Sequence, residues 1–308
     1  MSAQGKGYTF TFISAICSAS VYGVGKWVMV GVSPVVNIAL TFAIATVVMG
    51  VMMIANGEWR DFQRCTAKGW FTASLFTIFT IAALYAMWTG IKHLDPTVAS
   101  FIGRLQTVVA VFLGVLLLKE RLRIIEIFGG LMVIAGVVVI RLTFDMTLDR
   151  WFWVMVTSGL LWGVTETVAS LALRHLAPVP LNFVRNLTVA IVYLIWASFQ
   201  EAPLFNIGKY WWGVVCVAFG GPILARIFYL HALKRIGVSK TALINQSQPI
   251  YVSVIALVFL GLIPTVREWI GGLLILSGCI LMILGPVKAG IFLLAPIHLI
   301  RNRKEESL

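Results

Sequence analysis

The sequence predicts an all-α polytopic membrane protein with ten transmembrane helices arranged as two inverted five-helix repeats. Three observations carry this. Of 308 residues, 60% are hydrophobic and 12% are charged, with a mean hydropathy of +0.96, whereas a soluble domain carries about 25% charged residues. Ten apolar runs reach the roughly 20 residues that a helix needs to cross a bilayer. The second half of the chain also repeats the first, and each half holds an odd number of runs.

The runs fall at about 8–30, 34–55, 69–91, 97–118, 124–142, 151–174, 180–200, 210–233, 239–261 and 268–287. Lipid offers the backbone no hydrogen-bond partner, so runs of this length form helices and not strands. The first follows Lys6, is too long for a signal peptide and has no small-residue cleavage pattern. It carries Lys26 near its outer end. The fourth carries Arg104, and the fifth carries Gly129, Gly130 and Gly136. The sixth holds Trp162 and Glu166, the seventh Arg185, and the eighth Gly220-Gly221-Pro222 followed by Arg226. The ninth places Asn245, Gln246, Ser247 and Gln248 directly before Pro249, and the tenth repeats the glycines at Gly271, Gly272 and Gly278. Only 56–68 and 143–150 approach the size of a loop. An apolar stretch from Ile291 to Ile300 is too short to span and is read as a surface-lying or solvated tail.

With the N-terminus inside, the inner segments collect 15 Lys and Arg and the outer ones 5, which leaves Lys26, Arg104, Arg185 and Arg226 within the runs. This bias sets both termini in the cytoplasm. It also accounts for the net charge of +12 without nucleic acid, for which no soluble basic module exists. Cys17, Cys65, Cys216 and Cys279 show no CxxC spacing and read as neither a disulfide framework nor a metal site. No cofactor motif is visible.

A shift of 142 lays "KHLDPTVASFIGRLQTVVAVFLG" over "KRIGVSKTALINQSQPIYVSVIA", pairing Lys92 with Lys234, Gln106 with Gln248 and Glu126 with Glu268. A shift of 140 pairs Tyr22-Gly23-Val24 with Trp162-Gly163-Val164. Repeats of five spans must enter the membrane in opposite senses, a construction that recurs in secondary transporters. The repeats are set at 1–145 and 146–290, with a cytoplasmic tail over 291–308.

The stretches "LALRHLAPVPLNFVRNLTVA", "LLLKERLRIIEIFGGLMVIAGVVVI" and "ALKRIGVSKTALINQSQPIYVSV" resemble the EamA-type transporters of the drug/metabolite transporter superfamily. The resemblance covers 8–287 and implies transport, a bacterial inner membrane and no enzymatic activity, while being silent on cargo. Two departures stand out. Thr107 occupies the place of Pro249 and Arg104 that of Gln246, and no arginine matches Arg185, Leu40 lying near its place.

A cation at bilayer depth costs about 3 kcal/mol on insertion scales, so it normally faces protein or a watery cavity. Arg104, Arg185 and Arg226 are therefore the expected substrate-binding residues, since guanidinium suits carboxylate and phosphate bidentately. Glu166 is expected to pair or to couple protons. Gln106, Gln248 and Asn245 are expected to hydrogen-bond near the site, and Tyr22, Trp162 and Tyr251 to line it. Lys26 can snorkel to the outer interface, and Trp88 and Tyr229 read as belt residues. The expected cargo is a small polar metabolite, an organic anion or zwitterion such as an amino acid or carboxylate. Efflux of amphipathic or aromatic compounds is the alternative within transport. A membrane-embedded transferase would need clustered acids, a metal site or a nucleophile with its base, and none is visible. The expected partners are the small-molecule substrate and the lipid bilayer, and the glycine-rich runs suggest a contact surface either between the repeats or with a second copy in a homodimer.

Overall fold

The structure, a computed structural model, describes residues 3–118, 124–142, 146–200 and 207–283. The Lys119-Glu120-Arg121 turn and the 291–308 tail lie outside the described residues. In chain order the helices are α1 (Ala3–Val28), α2 (Pro34–Ala55), the short α3 (Asp61–Arg64), α4 (Ala67–His93), α5 (Pro96–Gly103), α6 (Leu105–Leu118) and α7 (Ile124–Arg141). They continue as α8 (Met146–Ala172), α9 (Pro178–Phe199), α10 (Trp211–Ala218), α11 (Arg226–Asn245), α12 (Gln248–Leu260) and α13 (Val266–Ile283).

Local chemistry explains where these helices begin. Ser33 accepts from the Val36 amide ahead of α2, Thr66 from the Gly69 amide ahead of α4, and Asp95 from the Thr97 amide ahead of α5. Each satisfies one of the four orphan amides of a helix start. Proline follows the cap in α2, α5 and α9, where its missing N–H is harmless. Gly57 (φ 68°) and Gly261 (φ 65°) adopt the left-handed conformation after α2 and at the end of α12.

Eight helices among the described residues are long and apolar enough to cross a membrane, counting the combined stretch Gly208–Ile236 as one. The ten uninterrupted spans that the sequence predicts are not reached, for a physical reason. The predicted run 97–118 is divided at Arg104 into α5 and α6. The predicted run 239–261 is divided at Gln246-Ser247, leaving α12 with 13 residues. The connection expected at 234–238 is itself helical, because α11 continues to Asn245.

The packing pairs follow the sequence repeat. Helix α1 packs on α11 and α12, while its counterpart α8 packs on α4 and α6. Helices α2 and α9, which correspond to each other, pack together, and α5 packs on α12. Helices α7 and α13 meet through glycine. A Cβ on Gly129 would stand 2.7 Å from the Gly278 carbonyl oxygen, and one on Gly136 2.5 Å from that of Gly271. Backbones this close exclude any side chain, the usual basis of small-residue helix contacts in membranes.

The outer faces are apolar and open: Val47, Val51 and Ile54 on α2, Ile124 and Phe128 on α7, Ile195 and Phe199 on α9. The polar residues Asn37, Thr41, Asn182, Asn186, Arg104, Arg185 and Gln248 are buried instead. Apolar surface outside with polar groups inside suits lipid as solvent.

Gly136→Ala places a methyl group against the Gly271 backbone and should lower the thermal unfolding midpoint in detergent, at an overpacking cost of about 1–3 kcal/mol. Gly130→Ala meets only the Met282 methyl at 4.0 Å and should leave that midpoint in place. Differential scanning fluorimetry of the two variants checks the contrast.

Candidate functional site

Helix breaks determine the site. At Arg104 the ladder tightens, with the Arg104 amide donating to the Phe101 carbonyl at 3.0 Å and the Thr107 amide to the Arg104 carbonyl at 2.9 Å. At the corresponding place in the second repeat, the Ser247 amide donates to the Ile244 carbonyl at 3.0 Å and the Ile250 amide to that of Ser247 at 3.1 Å. These three-residue closures interrupt the α-helical pattern and redirect groups that would otherwise be spent within the helix.

The two breaks hold each other. Arg104 donates through Nη1 to the Asn245 carbonyl at 2.9 Å and through Nη2 to Gln248 Oε1 at 2.5 Å. In return, Gln246 Nε2 donates to Thr107 Oγ1 at 2.7 Å. The residues that depart from the repeat pattern, Arg104 and Thr107, are thus the ones that reach across it.

A third irregularity lies between α10 and α11, where Phe219–Ala225 forms a π-helical turn containing Pro222. Proline removes a ladder donor. Two neighbouring helices take up carbonyls of this turn: Asn182 Nδ2 on α9 donates to that of Pro222 at 2.8 Å, and Ser14 Oγ on α1 to that of Ala225 at 2.8 Å.

Between these irregularities lies a cavity of about 150 Å³. Nine of the ten site residues expected from the sequence line it: Arg104, Arg185, Arg226 and Glu166, then Gln106, Gln248 and Asn245, then Tyr22 and Trp162. Tyr251 does not. It is half-buried and packs against the main hydrophobic core. Trp88 and Tyr229, belt residues by their distance from the helix ends, are both buried and line the cavity. Nothing in their spacing from the helix ends signals this. The side that α4 and α11 present to their neighbours decides it.

The cavity's charges are unequally matched. Arg226 Nη1 donates to Glu166 Oε1 at 2.6 Å, in a pair about one-tenth exposed on each side. Arg226 also lies over the Phe76 ring at 5.3 Å and the Tyr229 ring at 5.4 Å. Arg185 donates through Nε (3.1 Å) and Nη2 (2.8 Å) to Asn186 Oδ1 and lies over Phe42 and Phe76. Among the described residues, Arg226–Glu166 is the ion pair of the cavity, and Arg104 and Arg185 have neutral partners. Three guanidinium groups and one carboxylate leave a formal charge of +2.

Lys26 stands apart. Its Nζ donates to the carbonyls of Ile91 (3.1 Å), Lys92 (2.9 Å) and Leu94 (2.8 Å), capping the negative end of the α4 dipole. It is structural and lies outside the cavity lining.

The sequence profile of the EamA-like transporter family matches residues 5–142 and again residues 149–284. The chain belongs to the EamA-like transporter family. It is also similar to a Bacillus subtilis (strain 168) protein named "Uncharacterized transporter YyaM", with 21% identity over 274 residues that cover 86% of this chain and 89% of that protein. A solved crystal structure at 20% identity matches with a TM-score of 0.65 over 92% of this chain and 97% of the other, which shows a shared fold. Family and relative are transporters, and eight apolar helices of spanning length make this EamA-like chain a multi-pass integral membrane protein.

Breaking a buried ion pair from one side strands the other charge, at about 3–5 kcal/mol. Arg226→Gln should therefore lower the unfolding midpoint sharply, whereas Arg226→Gln combined with Glu166→Gln should recover most of the loss. A thermal double-mutant cycle in detergent reads the coupling.

Proposed function

We propose that this protein is a secondary transporter that carries a small organic anion or zwitterion through the central cavity by alternating access. The observation that carries the reading is the pair of buried guanidinium groups, Arg104 and Arg185, that face the cavity with neutral partners only. Burying cations without a counter-charge is costly. A carboxylate or phosphate on the cargo supplies that charge and completes the bidentate geometry for which guanidinium is suited.

The halves 1–145 and 146–290 act as inverted repeats in this reading, and the broken pairs α5–α6 and α11–α12 complete a set of ten spans. The exchanged packing of α1 and α8 supports it, since each repeat's first helix lies on the other's third and fourth. Rocking one bundle against the other would open the cavity alternately to the two sides. The π-helical turn at Phe219–Ala225 and the breaks at Arg104 and Gln246 supply places where the backbone can bend without losing a full helical ladder. Both termini sit in the cytoplasm of a bacterial inner membrane, consistent with the bias in Lys and Arg.

A second reading, efflux of neutral aromatic or amphipathic compounds, is favoured by one observation: Tyr22, Trp88, Trp162 and Tyr229 give the cavity an aromatic wall. The two readings separate in one comparison. Metabolites inside and outside cells expressing wild type, Arg185→Gln, Trp162→Leu or an empty vector are profiled without selection, with membrane abundance of each variant checked by immunoblot. The anion reading expects an acidic or zwitterionic metabolite redistributed at least tenfold less by Arg185→Gln, in line with one lost charge-assisted contact of about 1.5–3 kcal/mol. Redistribution of neutral aromatics, unchanged by Arg185→Gln and lost in Trp162→Leu, would replace it with efflux.

A further inference from the structure

We infer that Glu166 is the binding site of a proton that travels in the same direction as the anion, so that transport is proton–anion symport with its coupling confined to the second repeat. The inference rests on the cavity being an anion site, as proposed above. Its own support is the way Glu166 is held. One carboxylate oxygen, Oε1, accepts from Arg226, and the other, Oε2, is buried near the Tyr229 phenol without a hydrogen bond of ordinary geometry. Nε and Nη2 of Arg226 are likewise buried without partners. A buried acceptor left open beside a cavity is a place where a proton can be added, and a guanidinium with two open donors is a place where an anion can be received.

The linkage has a definite sign. With Glu166 ionised, Arg226 is engaged and the cavity carries a formal +2; with Glu166 protonated, Arg226 is released and the formal charge is +3. The proton comes from water on the side to which the cavity is open and binds Oε2, and it leaves to water on the other side when the anion departs and Arg226 pairs with Glu166 again. Proton and anion each favour binding of the other, and a carrier that reorients with both bound or with neither moves the two in the same direction. A carboxylate competing with an anion for the same arginine gives this sign whatever the anion is.

The other repeat treats the equivalent position differently. The shift of 140 that pairs Tyr22 with Trp162 places Lys26 over Glu166. Lys26 is committed to three backbone carbonyls at the end of α4 and leaves nothing to exchange. The pseudo-symmetric position is thus a fixed clasp in one half and an ionisable pair in the other.

The charged and titratable groups around Glu166 come from several elements: Arg104 lies at the break between α5 and α6, Arg185 on α9 and Arg226 on α11. Tyr22 on α1 and Tyr229 on α11 are phenols, and α4 contributes Trp88. His231, one turn beyond Ile227 on α11, lies outside the cavity lining: its Nδ1 is 2.9 Å from the Ile227 carbonyl, and its ring stands edge-on to Phe10. It is the control.

The probe is a uniformly 13C-labelled bacterial cell extract sealed inside proteoliposomes of purified protein, with released anions identified by mass spectrometry. Exchange against the same extract unlabelled outside is followed in parallel, with equal pH on both sides at 6 or 8. Wild type should release a labelled anion about tenfold faster with the interior at pH 6 and exterior at pH 8 than with the gradient reversed, a ratio typical of coupling between two sites. In Glu166→Gln that ratio should fall to one, and exchange should proceed at the same rate at both pH values, whatever its absolute level. Glu166→Asp should restore the ratio, and His231→Asn should keep it. Wild-type release indifferent to the gradient while exchange proceeds, or a gradient ratio that survives in Glu166→Gln, overturns the symport assignment and leaves the anion site standing. Neither release nor exchange of any labelled anion by the wild type overturns both.

Discussion

The cost of keeping guanidinium groups inside an apolar helical body governs this structure. A charge taken from water into a low-dielectric interior carries a penalty of several kcal/mol, which only close partners offset. Each cavity arginine meets that demand differently. Arg104 takes a free backbone carbonyl and a glutamine across the repeat boundary. Arg185 leans on Asn186 and two phenylalanine rings. Arg226 takes the cavity's ion pair. Arg104 is the most consequential of the three, because the carbonyl it uses becomes free only where α11 ends at Asn245. Cation and helix break require one another, and together they fix how α5–α6 crosses α11–α12.

The repeats provide the frame and the departures from repetition provide the chemistry. Exchanged helix contacts and glycine-to-backbone packing between α7 and α13 give two similar bundles a shared core. Within that frame, Arg104 replaces Gln246, Thr107 replaces Pro249, and Lys26 replaces Glu166. These exchanges alter either the charge of the cavity or a contact between the two helix breaks. A perfectly symmetric molecule would have no net preference in how the two halves hold a charged cargo, whereas here the ionisable pair belongs to one half alone.

Much of the site was legible because bilayer depth makes any charge conspicuous. Arg104, Arg185, Arg226 and Glu166 stand out in apolar runs, and nine of the ten residues singled out from the sequence line the same cavity. What was not legible depends on tertiary contacts. The break at Arg104 has no proline to announce it, unlike the turn at Pro222 or the start of α12 at Pro249, and only the contact with Asn245 and Gln248 accounts for it. Trp88 and Tyr229 were misplaced because distance from a helix end measures depth and not which side the ring faces. Tyr251 was misplaced for the converse reason: it is near mid-membrane by count but is directed into packing. The turn expected near 234–238 failed because Lys234, Arg235 and Lys240 are compatible with a helix that runs on, and charge density alone does not end a helix.

The central claim is that Arg104 and Arg185 await an anion, and the most direct test is binding to the purified protein. Thermal unfolding is followed in detergent while paired small carboxylates and the primary amides of the same carbon skeletons are titrated in at constant ionic strength. The account predicts that at least one acid raises the midpoint in proportion to its concentration while its amide does not, and that the difference disappears when Arg104 and Arg185 are both changed to glutamine. Equal stabilisation by an acid and its amide, persisting without the two arginines, would contradict it.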